Sequence, residues 1–390
     1  MKRFILIHYS EIGLKKSNKR YFIEKLRRTL RNKLSKGLQK NVKIIFSLER
    51  FLVEIDDIPQ EPLQNILNNI FGIRNYQFVF EGSINLKQLA QNIMTNLPKP
   101  VDSYQNFRVC VKRSQKFSMN STEIEREMGT NLIKAGLNLP VKLRDEDLCI
   151  NIEIFNNKSY FSYEKLNGLG GMPTQSSDKL LCLLSSGIDS PVSAFRMMRR
   201  GARVIYIHFH SYPYTDIQEI ENVKSICRIL SEYQNNTTLY LIPFADYMKS
   251  IASNKAIDSR YRVLLYRRMM LRGAERLAFN LKAKGLITGD NLAQVASQTA
   301  KNLFAIHSVT KIPLYQPLIS YDKEEICRIS RKIGTYQISK LPCKDTCSIF
   351  APPKPEIACS DNVLNDIEGN IDIHKHLDML FDSREKITIA

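Results

Sequence analysis

The sequence has 390 residues, 43% hydrophobic and 25% charged, which is typical of a soluble globular protein with two or three domains. Its formal net charge of +18 predicts attraction to a polyanion, either nucleic acid or an anionic membrane surface. The eight cysteines are too scattered for a disulfide framework, and no apolar run approaches the ~20 residues of a membrane span. The composition therefore favours a cytoplasmic protein that binds nucleic acid.

The first 80 residues alternate between strand-like and helix-like patterns. In the helix predicted at 19–34, Leu26, Leu30 and Leu34 recur every four residues and so share one face. The predicted elements are a strand at 4–8, the helix at 19–34, strands at 42–47 and 51–55, a helix at 63–70 and a strand at 76–80. This βαββαβ order is typical of a ferredoxin-like sandwich.

Half of the net charge lies at the start of the chain. Residues 1–57 hold 15 Lys and Arg against 6 Asp and Glu, an excess of +9. Arg27, Arg28 and Arg31 are predicted on or near the solvent side of the first helix, where cations can contact RNA phosphates. A basic helix face is often only a solvated surface, but this concentration of charge favours RNA binding.

From residue 86 the pattern changes to a second group of elements. A helix is predicted at 86–97, a strand at 107–114, a helix at 124–135 and three strand-like runs that end at 158–165. Ser121 or Thr122 with Glu125 resembles a capping box for the second of these helices. Arg113 and Lys116 add positive charge, and we predict that both contact RNA.

Strands and helices alternate from residue 171 to the end. Strands are predicted at 180–184, 204–208, 238–243 and 286–289, with long helices at 217–233 and 261–284. Strands separated by helices indicate a doubly wound parallel sheet, whose ligands lie beyond the carboxyl ends of the strands. The predicted site is therefore formed by Ser185 and the segments 208–210 and 288–290.

The most informative segment is Ser185-Ser186-Gly187-Ile188-Asp189-Ser190, between a strand and a helix predicted at 191–200. Small side chains let backbone N–H groups point inward, and a helix N-terminus adds partial positive charge, so the turn suits phosphate. Its serine hydroxyls can donate to the same oxygens. The alternative is an ordinary strand-to-helix connection.

With the following Pro191 and Val192, this segment resembles the SGGxDS pyrophosphate loop of ATP pyrophosphatases, in the form used by tRNA 4-thiouridine synthetases (tRNA sulfurtransferases). Ser186 departs from the family's pattern, which usually has glycine there. If that position needs a positive φ, serine costs about 1 kcal/mol or more. The segments 208–214, 267–270, 288–290 and 294–299 match the same family in order and spacing.

The preceding region resembles a THUMP domain, the RNA-binding module of thiouridine synthetases and some tRNA methyltransferases. Lys112-Arg113-Ser114 and the Glu-Ile-Glu-Arg-Glu run at 123–127 match its two recurring segments. The resemblance implies three domains. They are a ferredoxin-like domain at 1–75, a THUMP domain at 76–170 and a PP-loop ATP pyrophosphatase domain at 171–390.

The resemblance also implies an ATP site. Arg267 would offer a cationic fork to phosphate, and Asp189 would hold Mg²⁺ or orient a reacting group, with a helix N-cap as its alternative role. Backbone groups at two strand ends would hydrogen-bond adenine while an aromatic ring packs against the base. The implied ATP-binding residues are Leu183, Leu184, Ser185, Ser186, Gly187, Ile188, Ser190, His208, Phe209, Arg267, Gly289 and Gln298.

The cysteines near the end of the chain have three interpretations. Cys347, followed by Ser-Ile-Phe-Ala-Pro-Pro, corresponds to the family's sulfur carrier, and Cys343 would resolve its persulfide through a disulfide. Alternatively Cys343, Cys347 and Cys359 hold an iron–sulfur cluster, although Cys-x₃-Cys departs from the commoner Cys-x₂-Cys spacing. In the third interpretation all three are ordinary loop thiols.

The resemblance as a whole implies ATP-dependent transfer of sulfur to uridine 8 of tRNA, giving 4-thiouridine through an adenylated tRNA and a cysteine persulfide. A rhodanese domain has no room in this chain, so a cysteine desulfurase or a separate rhodanese-type protein is the expected donor. A homodimer is one expected assembly. The alternatives are sulfur transfer for thiazole (thiamine) synthesis and a non-catalytic tRNA-binding protein with a decayed loop. Intact Asp189, Arg267 and Cys347 argue against decay.

Overall fold

The computed structural model describes residues 1–55, 58–114, 118–341 and 352–389. The chain divides into two compact units, Met1–Pro173 and Thr174–Ala390, called here the N-terminal and C-terminal units. Within the described ranges, no helix combines the length and the apolar composition that crossing a membrane requires.

The N-terminal unit is built on one sheet. Its main elements are β1 (Arg3–Tyr9), α1 (Lys19–Leu38), β2 (Ile44–Ser47), β3 (Arg50–Ile55), α2 (Gln60–Leu67), β4 (Ile73–Gly82), α3 (Leu86–Thr95), β5 (Phe107–Arg113), α4 (Ser121–Lys134), β6 (Leu148–Phe155), β7 (Lys158–Ser162) and β8 (Leu166–Asn167). The sheet order is β2-β3-β1-β4-β7-β6-β5, with β8 paired to β4. This confirms the predicted βαββαβ start. Because β4 spans positions 75 and 76, one sheet serves both predicted domains, and the boundary there stays a prediction.

Apolar side chains cover both faces of this sheet. On one face Leu26, Leu30 and Leu34 are fully buried, as their spacing predicts. The other face carries a smaller core made of Phe4, Leu6, Leu52, Val79, Phe155 and Tyr160. Three strands separate β3 from β6, yet Arg50 on β3 lies 3.3 Å from Glu153 on β6. The sheet must therefore curl until its two halves face each other across this core.

The predicted capping box of α4 is wrong by two residues. Asn120 is the N-cap, accepting from the Glu123 N–H at 3.0 Å while Glu123 accepts from the Asn120 N–H at 2.7 Å. Asparagine caps a helix as well as serine does, so the box forms as soon as a Glu lies three residues on. Glu125 instead accepts from the Val111 N–H at 2.9 Å and ties α4 to β5.

The C-terminal unit confirms the predicted doubly wound sheet. Its main elements are β9 (Lys179–Leu183), α5 (Asp189–Arg199), β10 (Arg203–His210), α6 (Ile217–Ser231), β11 (Thr237–Pro243), α7 (Ala245–Ser253), α8 (Arg262–Asn280), β12 (Leu286–Ile287), α9 (Ala300–His307), β13 (Leu314–Tyr315), α10 (Lys323–Ile333), α11 (Tyr336–Ser339), α12 (Asp361–Glu368), α13 (Ile373–Asp382) and β14 (Glu385–Ile389). The strand order is β13-β12-β9-β10-β11-β14, parallel except for β14. Strands β13 and β14 are additions to the predicted set. They lie at the two edges, where a short strand shows little periodicity.

Candidate active site

The turn at 184–188 joins β9, near the middle of the sheet, to α5. The Ser185 N–H donates to Ser190 Oγ at 2.9 Å, the Ser185 and Ser190 hydroxyl oxygens lie 3.1 Å apart, and the Gly187 N–H lies 3.3 Å from Ser185 Oγ. Neither Ser186 nor Gly187 has a positive φ. The strain considered for serine at position 186 is therefore absent, and the turn is held together by its own hydroxyls.

Gly289 follows β12, the neighbour of β9, and touches the first turn of α5. A Cβ added there would lie 2.8 Å from the Ser190 backbone N and 3.0 Å from its Cα. Real Cβ atoms do not approach backbone this closely, so only glycine lets the end of β12 lie against the helix N-terminus. Gly289 is thereby placed beside the turn.

Asp189 is the first residue of α5, and its side chain contacts Gln294, from the segment 294–299, and Lys323, which no sequence pattern singled out. Lys323 Nζ donates to Asp189 Oδ1 at 2.7 Å, and Gln294 Nε2 donates to Oδ2 at 3.4 Å. The N-cap of α5 is Ile188, so Asp189 does not have the alternative capping role. Its side chain is about a quarter exposed, at 23%. The carboxylate therefore remains accessible at the side of the C-terminal sheet where its parallel strands have their carboxyl ends, called here the strand-end edge.

Arg267 and Arg268 are neighbours on α8 with different directions. Arg267 pairs through Nη2 with Asp290 and donates through Nη1 to the Ser297 carbonyl at 3.1 Å. Arg268 is fully buried and pairs with Glu368 at 2.8 Å. Arg267 therefore lies beside Asp290 at the end of β12, and its role in the site stays a prediction, while Arg268 joins α8 to α12.

Asp290 is the common partner of several site residues. Its Oδ1 accepts from Arg267 and, at 3.4 Å, from Gln298 Nε2, while Oδ2 accepts from Thr288 Oγ1 at 2.7 Å and Gln316 Nε2 at 3.2 Å. Burial raises the pKa of the Asp290 carboxyl, but Arg267, His307 and Thr288 outweigh burial and hold that pKa well below its usual range. The residue is thus a buried anion at all physiological pH values.

The strand ends of β9 and β10 lie side by side, and some of the polar groups there already make hydrogen bonds within the protein. The Leu184 N–H donates to the Ile207 carbonyl at 2.8 Å, and His208 Nδ1 lies 2.8 Å from the Leu184 carbonyl. The Phe209 ring packs edge-on against Phe244 in the core, with ring centroids 5.4 Å apart. The predicted packing of this ring against a base therefore stays a prediction, and the ring already contributes to the core.

His210 ends β10 in the same place. Burial, reinforced by the neighbouring His208, lowers the pKa of His210 to about 4. His210 is therefore neutral at neutral pH and adds no charge to the strand-end edge.

Cys343 and Cys347 lie outside the described residues. Cys359 is described, and it is 4% exposed within the main core of the C-terminal unit. Its N–H donates to Asn302 Oδ1 at 2.9 Å, and burial raises the pKa of its thiol. A cluster ligand must be a thiolate facing its metal, so this environment is that of a core residue.

The predicted RNA-binding residues lie in the N-terminal unit, except that Lys116 is outside the described ranges. Arg28 and Arg31 are exposed on α1, while Arg27 is half-buried and donates to the Ile44 carbonyl at 3.2 Å. Arg113 is half-buried at the end of β5. The Arg27 side chain thus helps to hold α1 on β2, and of the described residues predicted to bind RNA, Arg28 and Arg31 are the exposed ones.

Sequence reasoning missed a second cationic group in this unit. A concave region of about 260 Å³ is lined by Arg50, Arg74 and Lys112, among others. Burial, together with Lys112 and Arg74, lowers the pKa of the nearby Lys165. Positive charges crowd here because the curled sheet brings separate strands together, which no local pattern signals.

Sequence comparisons match all three regions of the chain, and its full length, to the same kind of protein. The family profile described as "Thiamine biosynthesis protein (ThiI)" matches residues 175–373, the ThiI ferredoxin-like domain matches 4–76, and the THUMP domain matches 85–164. A probable tRNA sulfurtransferase of Staphylococcus aureus is 35% identical over 388 residues, covering 99% of this chain and 92% of its own. The chain belongs to the tRNA sulfurtransferase family. A second member, from Bacillus pumilus, is 32% identical over 386 residues, 99% of this chain and 95% of its own.

Solved structures agree with this membership. A 4-thiouridine synthetase, crystallised as an RNA complex with bound ATP, is 31% identical and superposes with a TM-score of 0.89 over 100% of both chains. PH1313 from Pyrococcus horikoshii, at 22% identity, covers 86% of this chain and 100% of its own with a TM-score of 0.65, and shares the fold. The tRNA sulfurtransferase fold therefore extends over both units.

Proposed function

We propose that this chain uses ATP to transfer sulfur to uridine 8 of tRNA, producing 4-thiouridine through an adenylated tRNA. The observation that carries the proposal is the strand-end edge of the C-terminal unit. There the serine turn and Gly289 lie beside the first turn of α5, Asp290 holds Arg267 next to Gly289, and the carboxylate of Asp189 is accessible, in a chain of this family. The solved relative with RNA and ATP supports the choice of both ligands.

Activation needs the negative charge of a departing pyrophosphate to be stabilised. The N–H groups of the turn and the N-terminus of α5 supply partial positive charge, and Lys323, paired with Asp189 at 2.7 Å, supplies a full one. Arg267, held by Asp290 next to Gly289, contributes a second cation. The uridine carbonyl oxygen then attacks the α-phosphorus, the bond to pyrophosphate breaks, and the uridine oxygen carries AMP as a leaving group.

Magnesium fits Asp189 better than any other carboxylate described at this edge. Asp189 Oδ2 has one long contact, to Gln294, whereas both oxygens of Asp290 are fully engaged. Oxygen ligands from one carboxylate and the nucleotide phosphates are the usual environment of Mg²⁺. When bound, the ion would neutralise charge developing on the phosphates.

The sulfur step is assigned to Cys347 and Cys343. The terminal sulfur of a Cys347 persulfide attacks the activated uridine carbon, and the carbon–oxygen bond to AMP breaks. The Cys343 thiolate then attacks the Cys347 sulfur, which frees the thiouridine sulfur and leaves a Cys343–Cys347 disulfide. A dithiol reductant returns both cysteines to thiols. The core environment of Cys359 supports this scheme over a three-cysteine iron–sulfur cluster.

The sulfur itself is proposed to come from a cysteine desulfurase or a rhodanese-type protein. RNA binding is assigned to the N-terminal unit, whose exposed Arg28 and Arg31 and crowded Arg74, Lys112 and Lys165 offer positive charge to phosphates. This charge places the tRNA, while shape and an unstacked base select the reacting uridine.

Nucleoside mass spectrometry tests the function. A strain without the gene should lack 4-thiouridine in its tRNA, and the wild-type gene should restore it. Cys347→Ser should restore none, and Cys359→Ser should restore most. Cys343→Ser should restore turnover in vitro only with dithiothreitol, because that reagent replaces a resolving thiol but not the sulfur carrier. Purification without oxygen gives the counter-test, since a brown protein with iron and acid-labile sulfide contradicts the persulfide scheme.

A second candidate function rests on the description of the matching family profile, which names thiamine biosynthesis. In that case the same persulfide would supply sulfur for thiazole synthesis. Growth without thiamine separates the two, since loss of the gene would then require added thiazole even when tRNA thiolation is restored by another enzyme.

A further inference from the structure

Asp290 is a buried carboxylate with no assigned role. It is 3% exposed and immediately follows Gly289, which touches the first turn of α5. A carboxylate has about four lone-pair sites, and Asp290 receives four side-chain donors, from Arg267, Gln298, Thr288 and Gln316. Its hydrogen-bonding capacity is therefore filled by the protein, which leaves no site for a metal ion or a substrate proton.

Two of these four donors are predicted ligands of ATP, and both bind the same oxygen, Oδ1. The guanidinium of Arg267 is held at two points, by Asp290 through Nη2 and by the Ser297 carbonyl through Nη1. An arginine has five N–H donors, so several remain for a phosphate after these contacts. The side chain is 18% exposed, which keeps it within reach of a ligand.

Asp290 also holds the side-chain amide of Gln298 in one orientation. Its Nε2 donates to Asp290, so its Oε1 must point the other way. That oxygen is buried and accepts no hydrogen bond from the part of the chain that is described. A buried acceptor without a donor is costly, so a donor on a bound ligand, such as a ribose hydroxyl or a base amino group, would satisfy it.

We propose that Asp290 is a positioning residue of the ATP site, which holds Arg267 and Gln298 in the orientations that meet the nucleotide and does not itself contact the nucleotide. The inference rests on the proposed function, since it takes ATP as the ligand. A long arginine left without this anchor would lose its fixed direction, and the ordering would then have to occur on binding. Asp290 thus fixes the side chains of Arg267 and Gln298 before ATP binds.

The test is a double-mutant cycle measured by calorimetric titration of ATP into the full chain. Asp290→Asn removes the charge with little change in size, and Arg267→Ala removes the cation. We expect each single change to weaken ATP binding by about tenfold or more, and the double variant to bind within about threefold of Arg267→Ala. The proposal would be overturned if the double variant lost ATP affinity by the product of the two single losses, or if Asp290→Asn bound ATP as tightly as wild type.

Glu368→Gln is the matched control. Glu368 is also a buried carboxylate paired with arginines of α8, namely Arg268 at 2.8 Å and Arg272 at 2.6 Å. It contacts none of the predicted ATP residues. We expect a lower melting temperature but an ATP affinity within about twofold of wild type. An equal loss in both variants would mean that Asp290 acts only through stability.

Gln316→Leu keeps the proposal testable if Asp290→Asn does not fold. This change removes one donor to Asp290 Oδ2 and leaves Arg267 and Gln298 intact. A freer carboxylate should weaken ATP binding by about threefold, and an unchanged affinity contradicts the positioning role. Wild-type protein that does not bind ATP at all would instead refute the proposed function, so the two failures are distinguishable.

Discussion

In the described part of each unit, a buried carboxylate has an arginine, a histidine and at least one glutamine as neighbours. In the N-terminal unit Glu153 lies 2.7 Å from His8 Nε2, 3.3 Å from Arg50 Nε and 3.3 Å from Gln77 Nε2. In the C-terminal unit Asp290 binds Arg267 and Gln316, with His307 Nε2 at 3.6 Å. Burial raises the pKa of both carboxyls, but in each case the arginine and the histidine, with Lys112 for Glu153 and Thr288 for Asp290, outweigh burial and lower the pKa.

The two clusters differ in where their partners sit. The partners of Glu153 lie on strands, so the cluster fastens the two halves of a curled sheet. The partners of Asp290 lie on the helices α8 and α9 and in segments that follow strand ends, and the region beyond strand ends is where parallel sheets bind ligands. If Asp290 has the positioning role proposed above, similar chemistry stabilises a fold in one unit and orders a site in the other. The difference is whether the partners lie within the strands or beyond their ends.

The largest effect is expected from a change in the candidate site at the strand-end edge of the C-terminal unit. Asp189→Ala should reduce formation of adenylated tRNA by roughly 100-fold or more, because it removes the accessible carboxylate and its pairing with Lys323. The melting temperature should stay unchanged, since Asp189 is partly exposed. Glu221→Ala, in a partly exposed pair with Lys224, is the control and should retain full activity. Normal thiolation by Asp189→Ala would remove Asp189 from the site.

Glu153→Gln tests the structural half of the comparison. Breaking a buried pair on one side costs about 3 kcal/mol, so thermal unfolding of the N-terminal unit should begin roughly 6–12 °C lower. Affinity for ATP should not change. An intact melting curve together with a loss of ATP binding would reverse the roles assigned to the two clusters.

The pH dependence of unfolding of Glu153→Gln tests whether the Glu153 carboxyl is ionised in the folded protein. A carboxyl whose folded pKa is lowered stabilises the protein above its unfolded pKa, and this contribution is lost as pH falls through the folded pKa. Urea unfolding at pH 7 and at pH 4 should therefore show a smaller acid destabilisation for Glu153→Gln than for wild type. Equal losses would mean that Glu153 is not preferentially ionised in the folded state.

A smaller effect is expected from the surface charge of the N-terminal unit. Replacing Arg27, Arg28 and Arg31 by Gln should flatten the log–log dependence of tRNA affinity on salt by about 0.7–0.9 for each phosphate that the protein no longer neutralises. The exposed Lys282 and Lys284 of the C-terminal unit, replaced in the same way, serve as the control. An unchanged slope for the arginine variant would place the RNA elsewhere.

The smallest effect is expected at Ser186. Because its φ is not positive, Ser186→Gly relieves no strain and should leave thiolation within about twofold of wild type. A large loss in steady-state thiolation would show that the serine hydroxyl is a ligand donor, and would extend the strand-end site by one residue.

Sequence patterns alone determined most of the fold. Leucines spaced by four residues predicted α1, alternating strands and helices predicted the doubly wound sheet, and small residues before a helix predicted the turn at 184–188. These signals are local, since they depend only on which face of a helix or strand is buried. The charge excess at the start of the chain is likewise visible without a structure.

Only the tertiary structure decided which distant side chains meet. Lys323 reaches Asp189 from 134 residues away, Arg50 reaches Glu153 through the curl of a sheet, and Asp290 gathers Arg267 and Gln298 on one oxygen. It also turned the Phe209 ring into the core and Arg268 toward Glu368. A local pattern fixes the face on which a residue lies. Its partner is fixed by how whole elements pack, because only packing brings two distant positions within hydrogen-bonding distance.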